Sequence, residues 1–221
     1  MKLLALDTST QACSVAIWLD GQAVEVLEIA SNRHSSLILT MVDQVLAESG
    51  TSLNQCDAIA FSRGPGSFTG LRIGVGVVQG LAYGADVPVL PISSLRAQAA
   101  RAGARAENVL AAFDARMRQV YWGLYRLNTD GYAQADNDIM LTAPELVRVP
   151  GAKKWLAAGG GCDLYREIIE AANTGAEISF IPRSYPHAID VARLGAIDYR
   201  AGRAVPAALA LPEYVRNQVT T

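Results

Sequence analysis

A run of hydroxyl side chains behind an acidic residue is the first feature of this sequence that could do chemistry. Asp7-Thr8-Ser9-Thr10 follows a short apolar stretch near the amino terminus. In a turn of this kind, hydroxyl and backbone N–H groups can face an anion such as the phosphate of a nucleotide. The same residues also suit an ordinary polar turn, in which Asp7 bonds to its own backbone. The residues alone leave both interpretations open.

The glycine-rich segment Gly64-Pro65-Gly66-Ser67-Phe68-Thr69-Gly70 is a second candidate for phosphate binding, because it joins an apolar stretch to a predicted helix. A Walker A loop needs a lysine before its serine or threonine, and this segment has none. The dinucleotide-binding fingerprint fails as well, because its third glycine would fall on Thr69. We therefore expect a structural turn that aims the helix.

Three consecutive glycines, Gly159, Gly160 and Gly161, lie between an apolar segment and a helix predicted at residues 164–172. Glycine lets the backbone approach a ligand closely, here a nucleobase or a ribose. It serves equally well where the chain only has to turn. The residues do not decide between these two roles.

Side chains that often carry nucleophilic or metal chemistry are few and scattered. His34 and His187 stand at ligand spacing neither from each other nor from a cysteine. Cys13, Cys56 and Cys162 lie far apart without a CxxC pair, which favours buried, reduced thiols in a cytosol over a disulfide framework. No Ser–His–Asp or Cys–His arrangement has support from spacing. The sequence predicts no metal, no cofactor and no catalytic residue.

The elements that would position these residues follow a regular order. Apolar patterning and turn signals predict strands at residues 3–6, 13–19 and 23–29, a helix at 35–48, a strand at 58–61, a helix from 68 to about 83, a strand at 87–92 and a helix at 95–101. Three hairpin strands followed by alternating helices and strands predict a mixed sheet with helices packed on it. That order is the half-domain of the actin-like, ribonuclease-H-like fold.

We expect an α/β protein of two lobes. The first lobe would span residues 1–103, and a smaller, reduced lobe would span 104–221, opening with strands at 108–113 and 120–127. Each lobe would hold a mixed sheet flanked by helices. A last helix at about 205–221 is expected to pack back on the first lobe.

The second helix of the first lobe carries an unusual number of glycines. Gly70 and Gly74 are four residues apart, as are Gly76, Gly80 and Gly84. Each helical glycine costs about 1 kcal/mol relative to alanine, so close packing must compensate for them. We expect this helix to be buried nearly all round, either by the lobe's own second layer or by a partner's helices. A leucine at Gly74 or Gly80 would then overpack the partner contact.

Composition describes a globular chain without a marked charge. Hydrophobic residues make up 51% of the chain and charged residues 18%, and the net charge of −2 gives no general attraction to nucleic acid. The uncharged stretch at 73–85 is shorter than the ~20 residues that a membrane span needs. The first residues, MKLLALDTST, lack the core of a signal peptide. We expect a cytoplasmic protein without membrane contact.

Several distinct motifs follow one another along the chain in a recognisable order. They are Leu6-Asp7-Thr8-Ser9-Thr10 with Cys13-Ser14-Val15-Ala16, the glycine-rich segment extended to Leu71-Arg72-Ile73-Gly74, Asp114-Ala115-Arg116-Met117 with Val120-Tyr121-Trp122, and Pro212-Glu213-Tyr214-Val215-Arg216. Together they resemble the TsaB family, also called YeaZ, over nearly the whole chain. The resemblance implies the actin-like, sugar-kinase-like (ASKHA) fold. It also implies a role in forming threonylcarbamoyladenosine at position 37 of tRNAs that read codons beginning with A.

The resemblance further implies that the chain is not itself an enzyme. The related catalytic subunit, TsaD, carries an HxxxH metal pair after the strand equivalent to residues 87–92, and two histidines at that spacing share one helical face. Ser94 and Gln98 occupy those positions here, so the metal site is expected to be lost. The same departure argues against a metalloprotease.

The implied role is that of a scaffold subunit. It would pair with TsaD through the first and second helices as a four-helix bundle, the ATPase TsaE would dock on that pair, and tRNA would be reached only through the complex. Without TsaD, the same helices would form a two-fold homodimer. The residues expected at this interface are Leu37, Ile38, Met41, Val42, Val45, Phe68, Leu71, Arg72, Gly74, Val75 and Val78.

Two other functions stay open. An actin-like ATPase or kinase with its own nucleotide turnover would use Asp7, the Thr8-Ser9-Thr10 turn and Gly159-Gly160-Gly161, which are otherwise the remnant of a nucleotide site. A peptidase is the third interpretation, although no nucleophile and base pair can be named for it.

Overall fold

The computed structural model describes residues 1–102, 105–128, 132–151 and 153–216. No helix within these ranges is both long and apolar enough to cross a bilayer. The chain forms two compact units. Unit 1 comprises Met1–Ser94 and Pro186–Glu213, and unit 2 comprises Leu95–Tyr185 with the residues described from Tyr214 onward. The expected division after residue 103 therefore differs from the observed one, and unit 1 is discontinuous in sequence.

Strands and α-helices alternate between residues 22 and 114, and consecutive strands precede and follow that part of the chain. In order they are β1 (Lys2–Asp7), β2 (Ala12–Leu19), β3 (Gln22–Ile29), α1 (His34–Ser49), β4 (Ala58–Gly64), α2 (Phe68–Ala85), β5 (Val89–Ser93), α3 (Ser94–Arg101), β6 (Asn108–Asp114), β7 (Val120–Leu127), β8 (Ala133–Ala135), β9 (Met140–Thr142), β10 (Lys154–Ala158), α4 (Gly160–Leu164), α5 (Arg166–Ala172), β11 (Glu177–Ile181) and α6 (Ala188–Arg200).

The sheet of unit 1 has the strand order β3-β2-β1-β4-β5. β1 pairs antiparallel with β2, and β2 pairs antiparallel with β3, whereas β4 is parallel to both β1 and β5. The β2–β3 turn has positive φ at Asp20 and Gly21, which suits the twist of a two-residue hairpin. The predicted mixed sheet, with three hairpin strands leading into alternating helices and strands, is confirmed.

Residues of this sheet alternate between two covered faces, as the pleat of a strand requires. Leu4 and Leu6 of β1 belong to a core cluster with the buried residues of α1 and α2. The opposite face packs against α6. Gly195 of α6 lies so close to that face that a Cβ there would stand 2.8 Å from the Cβ of Ala60. The sheet is therefore sandwiched between two helix layers.

α6 was not predicted from the sequence, and its amino terminus is capped by residues distant in the chain. The N–H of Ala188 donates to Ser14 Oγ at 2.9 Å, and the N–H of Ile189 donates to Glu25 Oε1 at 3.0 Å. A carboxylate at this end of a helix also complements the helix dipole. The helix expected at about 205–221 is wrong for residues 205–216, which contain a 3-10 turn at Ala207–Leu209 instead.

The sheet of unit 2 has the order β11-β10-β6-β7-β8, with β9 also pairing with β7. β10 is parallel to both β6 and β11. The core of unit 2 includes Leu110, Trp122, Trp155, Cys162 and Ile169. The helix predicted at 164–172 corresponds to α5, and the short helix α4, which was not predicted, precedes it; the two are separated at Tyr165, where φ is −117°.

Candidate functional site

The turn after β1 contains the first candidate site residues of the sequence. The Asp7 carboxylate is fully buried. Its Oδ1 accepts from the N–H and the Oγ of Ser9, both at 3.0 Å, and its Oδ2 accepts from Ser62 Oγ on β4. Burial raises the pKa of Asp7 to about 6, and the hydrogen bonds from Ser62 and Ser9 oppose that rise by favouring the carboxylate. Asp7 therefore ties the turn to β4.

The hydroxyls of the same turn are also bonded within the chain. Thr8 Oγ1 donates to the carbonyl oxygen of Gly70 at 2.8 Å, and Thr10 Oγ1 accepts from the N–H of Ala12 at 3.3 Å. Thr8 and Ser9 are buried, and Thr10 is half-buried. This geometry favours the polar-turn interpretation. Nucleotide binding by Asp7, Thr8, Ser9 and Thr10 stays a prediction.

Each glycine of the β4–α2 loop makes room for another part of unit 1. Gly64 has a φ of +126°, and a Cβ there would stand 2.7 Å from the carbonyl oxygen of Glu213. A Cβ at Gly66 would overlap the carbonyl oxygen of Ser9, and one at Gly70 would overlap that of Thr8. The loop is a structural turn that aims α2, as the sequence suggests.

The three consecutive glycines of unit 2 have different surroundings. A Cβ at Gly159 would overlap the carbonyl oxygen of Ala112, and one at Gly161 would lie 2.8 Å from the backbone of Phe113. Gly160 alone is exposed, with nothing within 4 Å of its Cβ position. Two of the three glycines therefore allow close packing on β6. A nucleotide role for this loop stays a prediction.

Ser94 and Gln98, where TsaD is expected to carry its metal ligands, lie one turn apart on α3 and are completely buried. Ser94 Oγ accepts from the N–H of Gly64 at 3.1 Å, and Gln98 Nε2 donates to Ser184 Oγ at 2.6 Å. A hydroxyl and an amide are poor replacements for two imidazoles at a transition metal. Among the described residues, no three His, Cys, Asp or Glu side chains converge to hold a metal ion.

The residues expected at the partner interface fall into two groups. Most of them are buried in the core of unit 1 and are not available on its surface; these are Ile38, Met41, Val42, Val45, Leu71, Gly74, Val75 and Val78. Phe68 and Arg72 are exposed, and Leu37 is half-buried. These residues are buried because the strongest apolar stripe of each helix covers the helix's own sheet.

The outward face of α2 consists instead of residues that were not expected at the interface. Gly76, Gly80 and Gly84 repeat every fourth residue, and the Cβ position of each has nothing within 4 Å. Tyr83 beside them is 86% exposed, and Leu39 on α1 is 53% exposed. The expectation that α2 is buried nearly all round is therefore wrong for this chain by itself. The repeat of small residues, offset from the apolar stripe, was the signal that could have identified this face.

The histidines and cysteines do not form a catalytic group. His34 Nε2 lies 3.2 Å from the carbonyl oxygen of Ala12, and His187 Nδ1 lies 3.0 Å from Glu25 Oε2. In the described part of the chain, neither ring is hydrogen-bonded to a serine or a cysteine. All three cysteines are buried, and burial raises the pKa of each thiol, that of Cys13 to about 12.

The carboxyl-terminal motif has two separate structural roles. In unit 1, Glu213 Oε2 pairs with Arg63 Nε at 2.9 Å, and the Glu213 N–H donates to the Arg63 carbonyl at 2.7 Å. In unit 2, the Arg216 guanidinium donates to the Ala115 carbonyl at 3.1 Å and to Gln119 Oε1 at 2.6 Å. The turn that Arg216 contacts has positive φ at Arg116, Met117 and Arg118.

Comparison with known proteins links these motifs to one family. A family model described as TsaD, tRNA N6-adenosine threonylcarbamoyltransferase, matches residues 26–196. The tRNA threonylcarbamoyladenosine biosynthesis protein TsaB of Haemophilus influenzae is 40% identical, over 100% of this chain and 95% of that protein. TsaB of Escherichia coli is 37% identical, over 99% of this chain and 96% of that protein. The chain belongs to the TsaB family.

A solved structure of a TsaB-family member supports the fold. YeaZ from Pseudomonas aeruginosa superposes with a TM-score of 0.90 at 43% identity, covering 97% of this chain and 99% of that chain. The predicted family and the predicted actin-like, sugar-kinase-like fold are both confirmed. Two of the motifs that carried the resemblance make packing contacts. The Ser9 carbonyl after β1 accepts from the N–H of Ser67 in the β4–α2 loop, and Arg216 donates to the Ala115 carbonyl in the β6–β7 turn.

Proposed function

We propose that this chain acts in threonylcarbamoyladenosine biosynthesis on tRNA, as a non-catalytic subunit that pairs with TsaD through α1 and α2. Its relatives in H. influenzae and E. coli are named for that biosynthesis. The match of residues 26–196 to the TsaD model supports a shared architecture with the transferase. Such shared architecture suits a pseudo-symmetric pairing of two similar lobes.

The open glycine face of α2 is the observation that carries this proposal. Gly76, Gly80 and Gly84 each cost about 1 kcal/mol in a helix, and nothing in the described chain packs against them to offset that cost. Small residues four apart let the backbones of two helices approach closely. A helix of TsaD, or of a second copy of this chain when TsaD is absent, would supply the missing contacts.

The surroundings of these glycines suit a protein partner. Three large apolar side chains are exposed on the two helices, namely Tyr83 and Phe68 on α2 and Leu39 on α1. Arg72 lies over the Phe68 ring, with 3.8 Å from its guanidinium carbon to the ring centroid. Aromatic residues and arginine are enriched at protein interfaces. In the proposed complex, TsaE docks on the pair formed by this chain and TsaD, and tRNA is bound through the assembly.

The absence of catalysis in this subunit rests on residue types. Ser94 and Gln98 stand where the metal-binding histidines of TsaD are expected, and each is bonded inside the chain. The Asp7 carboxylate and the hydroxyls of Thr8 and Ser9 are likewise engaged by other protein groups. This is why the proposal favours a scaffold over an ATPase or kinase with its own turnover.

Reconstitution tests the proposal. With TsaD, TsaE, tRNA and threonylcarbamoyl-adenylate, we expect the modified nucleoside to form only when both this chain and TsaD are present. A pull-down from lysate should recover TsaD and TsaE. Product formed by this chain without TsaD would contradict the scaffold role. Calorimetry with ATP and magnesium that shows tight binding and turnover would favour the ATPase alternative.

A further inference from the structure

Thr8 makes a pair of contacts with α2 that the proposed function does not use. Its Oγ1 donates to the Gly70 carbonyl at 2.8 Å, and the same oxygen occupies the space that a Cβ on Gly74 would need. Gly70 and Gly74 are one turn apart on the buried face of the helix. Thr8 thereby restrains both the height and the rotation of α2 over the sheet.

Ser9 restrains the start of the same helix. Its carbonyl oxygen accepts from the N–H of Ser67 at 2.7 Å and fills the space beside Gly66. Ser67 is the N-cap of α2, and its Oγ accepts from the N–H of Gly70 at 3.3 Å. The position of the N-cap decides where the first turn of a helix begins.

The turn that makes these contacts is itself held rigidly. Asp7 Oδ1 accepts two bonds from Ser9, and its Oδ2 accepts one from Ser62 on β4, the strand that leads into the loop before α2. Asp7, Thr8, Ser9 and Ser62 are all buried. Buried networks whose members are all satisfied are rigid and specify one arrangement.

We propose that the Asp7–Thr8–Ser9 turn is a positioning element for the partner-binding face of α2, with Thr8 as its principal positioning residue. This inference rests on the proposed function. Gly76, Gly80 and Gly84 lie on the same helix as Gly70 and Gly74, so a displacement of α2 at Thr8 also moves the open face. Close packing is sensitive to such a shift, since a gap of about 0.5–1 Å forfeits a quarter to a half of the attraction between packed atoms.

The test compares Thr8→Val and Thr8→Ser in the full-length chain. Valine keeps the volume of threonine but cannot donate to Gly70, whereas serine restores the hydroxyl. Titration against TsaD, at a temperature below the measured melting temperature of each variant, should give affinity about tenfold weaker for Thr8→Val, a loss expected from a sub-ångström misfit across a packed interface. Thr8→Ser should bind within about threefold of the wild type.

Thr142→Val in unit 2 is the matched control. The Thr142 hydroxyl accepts from Trp122 Nε1 at 2.9 Å, so this variant also loses a hydrogen bond and should lower the melting temperature, while TsaD affinity stays unchanged. If Thr8→Val lowers the melting temperature but binds TsaD like the wild type, the turn only stabilises the fold and the inference is wrong. Should Thr8→Val fail to fold, Ser9→Ala tests the turn instead, because it removes the hydroxyl that donates to Asp7, and it should weaken TsaD binding in the same direction.

The proposed function and the positioning role of the turn are contradicted by different results. A wild-type chain that does not bind TsaD contradicts the proposed function, whatever its variants do. A wild-type chain that binds TsaD, with Thr8→Val and Ser9→Ala both folded and binding equally well, contradicts only the positioning role.

Discussion

The Asp7 carboxylate has a pKa of about 6 in the folded chain against its usual 3.8, because burial disfavours its charged form. Between about pH 4 and 6, the folded state therefore keeps a proton that the unfolded state has released. Stability from this group is present at the acid end of that range and is lost as the pH rises through 6. Most carboxylates in proteins act in the opposite direction.

Asp7→Asn should remove this pH dependence. An amide can keep the acceptor toward Ser9 and can donate to Ser62, without a buried charge at neutral pH. We expect the unfolding free energy of the wild type, relative to the variant, to fall by about 2 kcal/mol between pH 4 and 6.5, since each pKa unit corresponds to about 1.4 kcal/mol and pH 4 already lies just above the pKa of the unfolded state. Urea unfolding at several pH values measures it, and parallel curves for the two proteins would contradict the assignment.

The three thiols give a second prediction at the residue scale. Cys13, Cys56 and Cys162 are buried, and the pKa of each is raised, so little thiolate exists at pH 8. Ellman's reagent should react slowly with all three in the folded chain and rapidly in denaturant. A fast-reacting thiol in the native protein would revive a nucleophilic role for a cysteine.

At the scale of the element, α2 has two sets of glycines that the sequence presents as one. Gly70 and Gly74 face Thr8 inside unit 1, while Gly76, Gly80 and Gly84 face outward. The sequence predicts the same effect for leucine at Gly74 and at Gly80. The structure separates these two substitutions, because only Gly80 has open space at its Cβ position.

Gly80→Leu should weaken partner binding without harming the fold. Leucine is the better helix former by roughly 0.8 kcal/mol, so the melting temperature should stay level or rise slightly. Overpacking at the proposed contact should cost association about 1–3 kcal/mol. Glu167→Leu, which places a leucine on the exposed surface of α5, is the control and should leave TsaD binding intact. Unchanged TsaD binding and dimerisation by Gly80→Leu, read on a sizing column, would exclude this face.

Gly74→Leu should act on the fold instead. Its side chain would overlap Thr8 Oγ1 in the interior of unit 1, and forced insertion of this kind costs about 1–3 kcal/mol or more. Thermal unfolding should therefore show a lower melting temperature for Gly74→Leu than for Gly80→Leu. Equal melting temperatures would mean that α2 can move away from Thr8 at no cost.

At the scale of the whole molecule, unit 1 is completed by a segment from the far end of the chain. α6 covers the face of the sheet opposite α1 and α2, and Ser14 and Glu25 cap its amino terminus. Without α6, the apolar residues of that face, including Leu3, Ala5 and Leu90, would lose their cover. Burial of one such side chain is worth about 1.5–3 kcal/mol.

A fragment of residues 1–103, the lobe expected from the sequence, should therefore not unfold cooperatively. Met1–Ser94 joined through a Gly/Ser linker to Pro186–Glu213 contains all of unit 1 and should show a cooperative transition. Circular dichroism during thermal unfolding distinguishes the two. A cooperative 1–103 fragment would show that α6 is dispensable for this unit.

The order of strands and helices through residue 101 could be predicted from the sequence, because alternation, helical period and turn residues are local signals. The motif strings likewise indicated the family before any contact was known. α6 was not predicted although its buried residues Ala188, Val191, Ala192, Gly195 and Ala196 have helical spacing. Its start carries no local capping signal, since its caps, Ser14 and Glu25, lie more than 160 residues away in the chain. A sequence pattern cannot identify caps that only folding brings into place.

By itself, then, the sequence determined the fold class and the family. Only the tertiary structure decided which face of α2 is buried in unit 1 and which is exposed. An apolar stripe predicts that one face is covered, but whether Gly74 or Gly80 is covered depends on Thr8, which approaches α2 from a distant strand end. The same contact shows that the Thr8 hydroxyl, a candidate for phosphate binding in the sequence, is bonded to α2 inside unit 1. Burial is a property of pairs of segments, and a linear pattern describes only one of them.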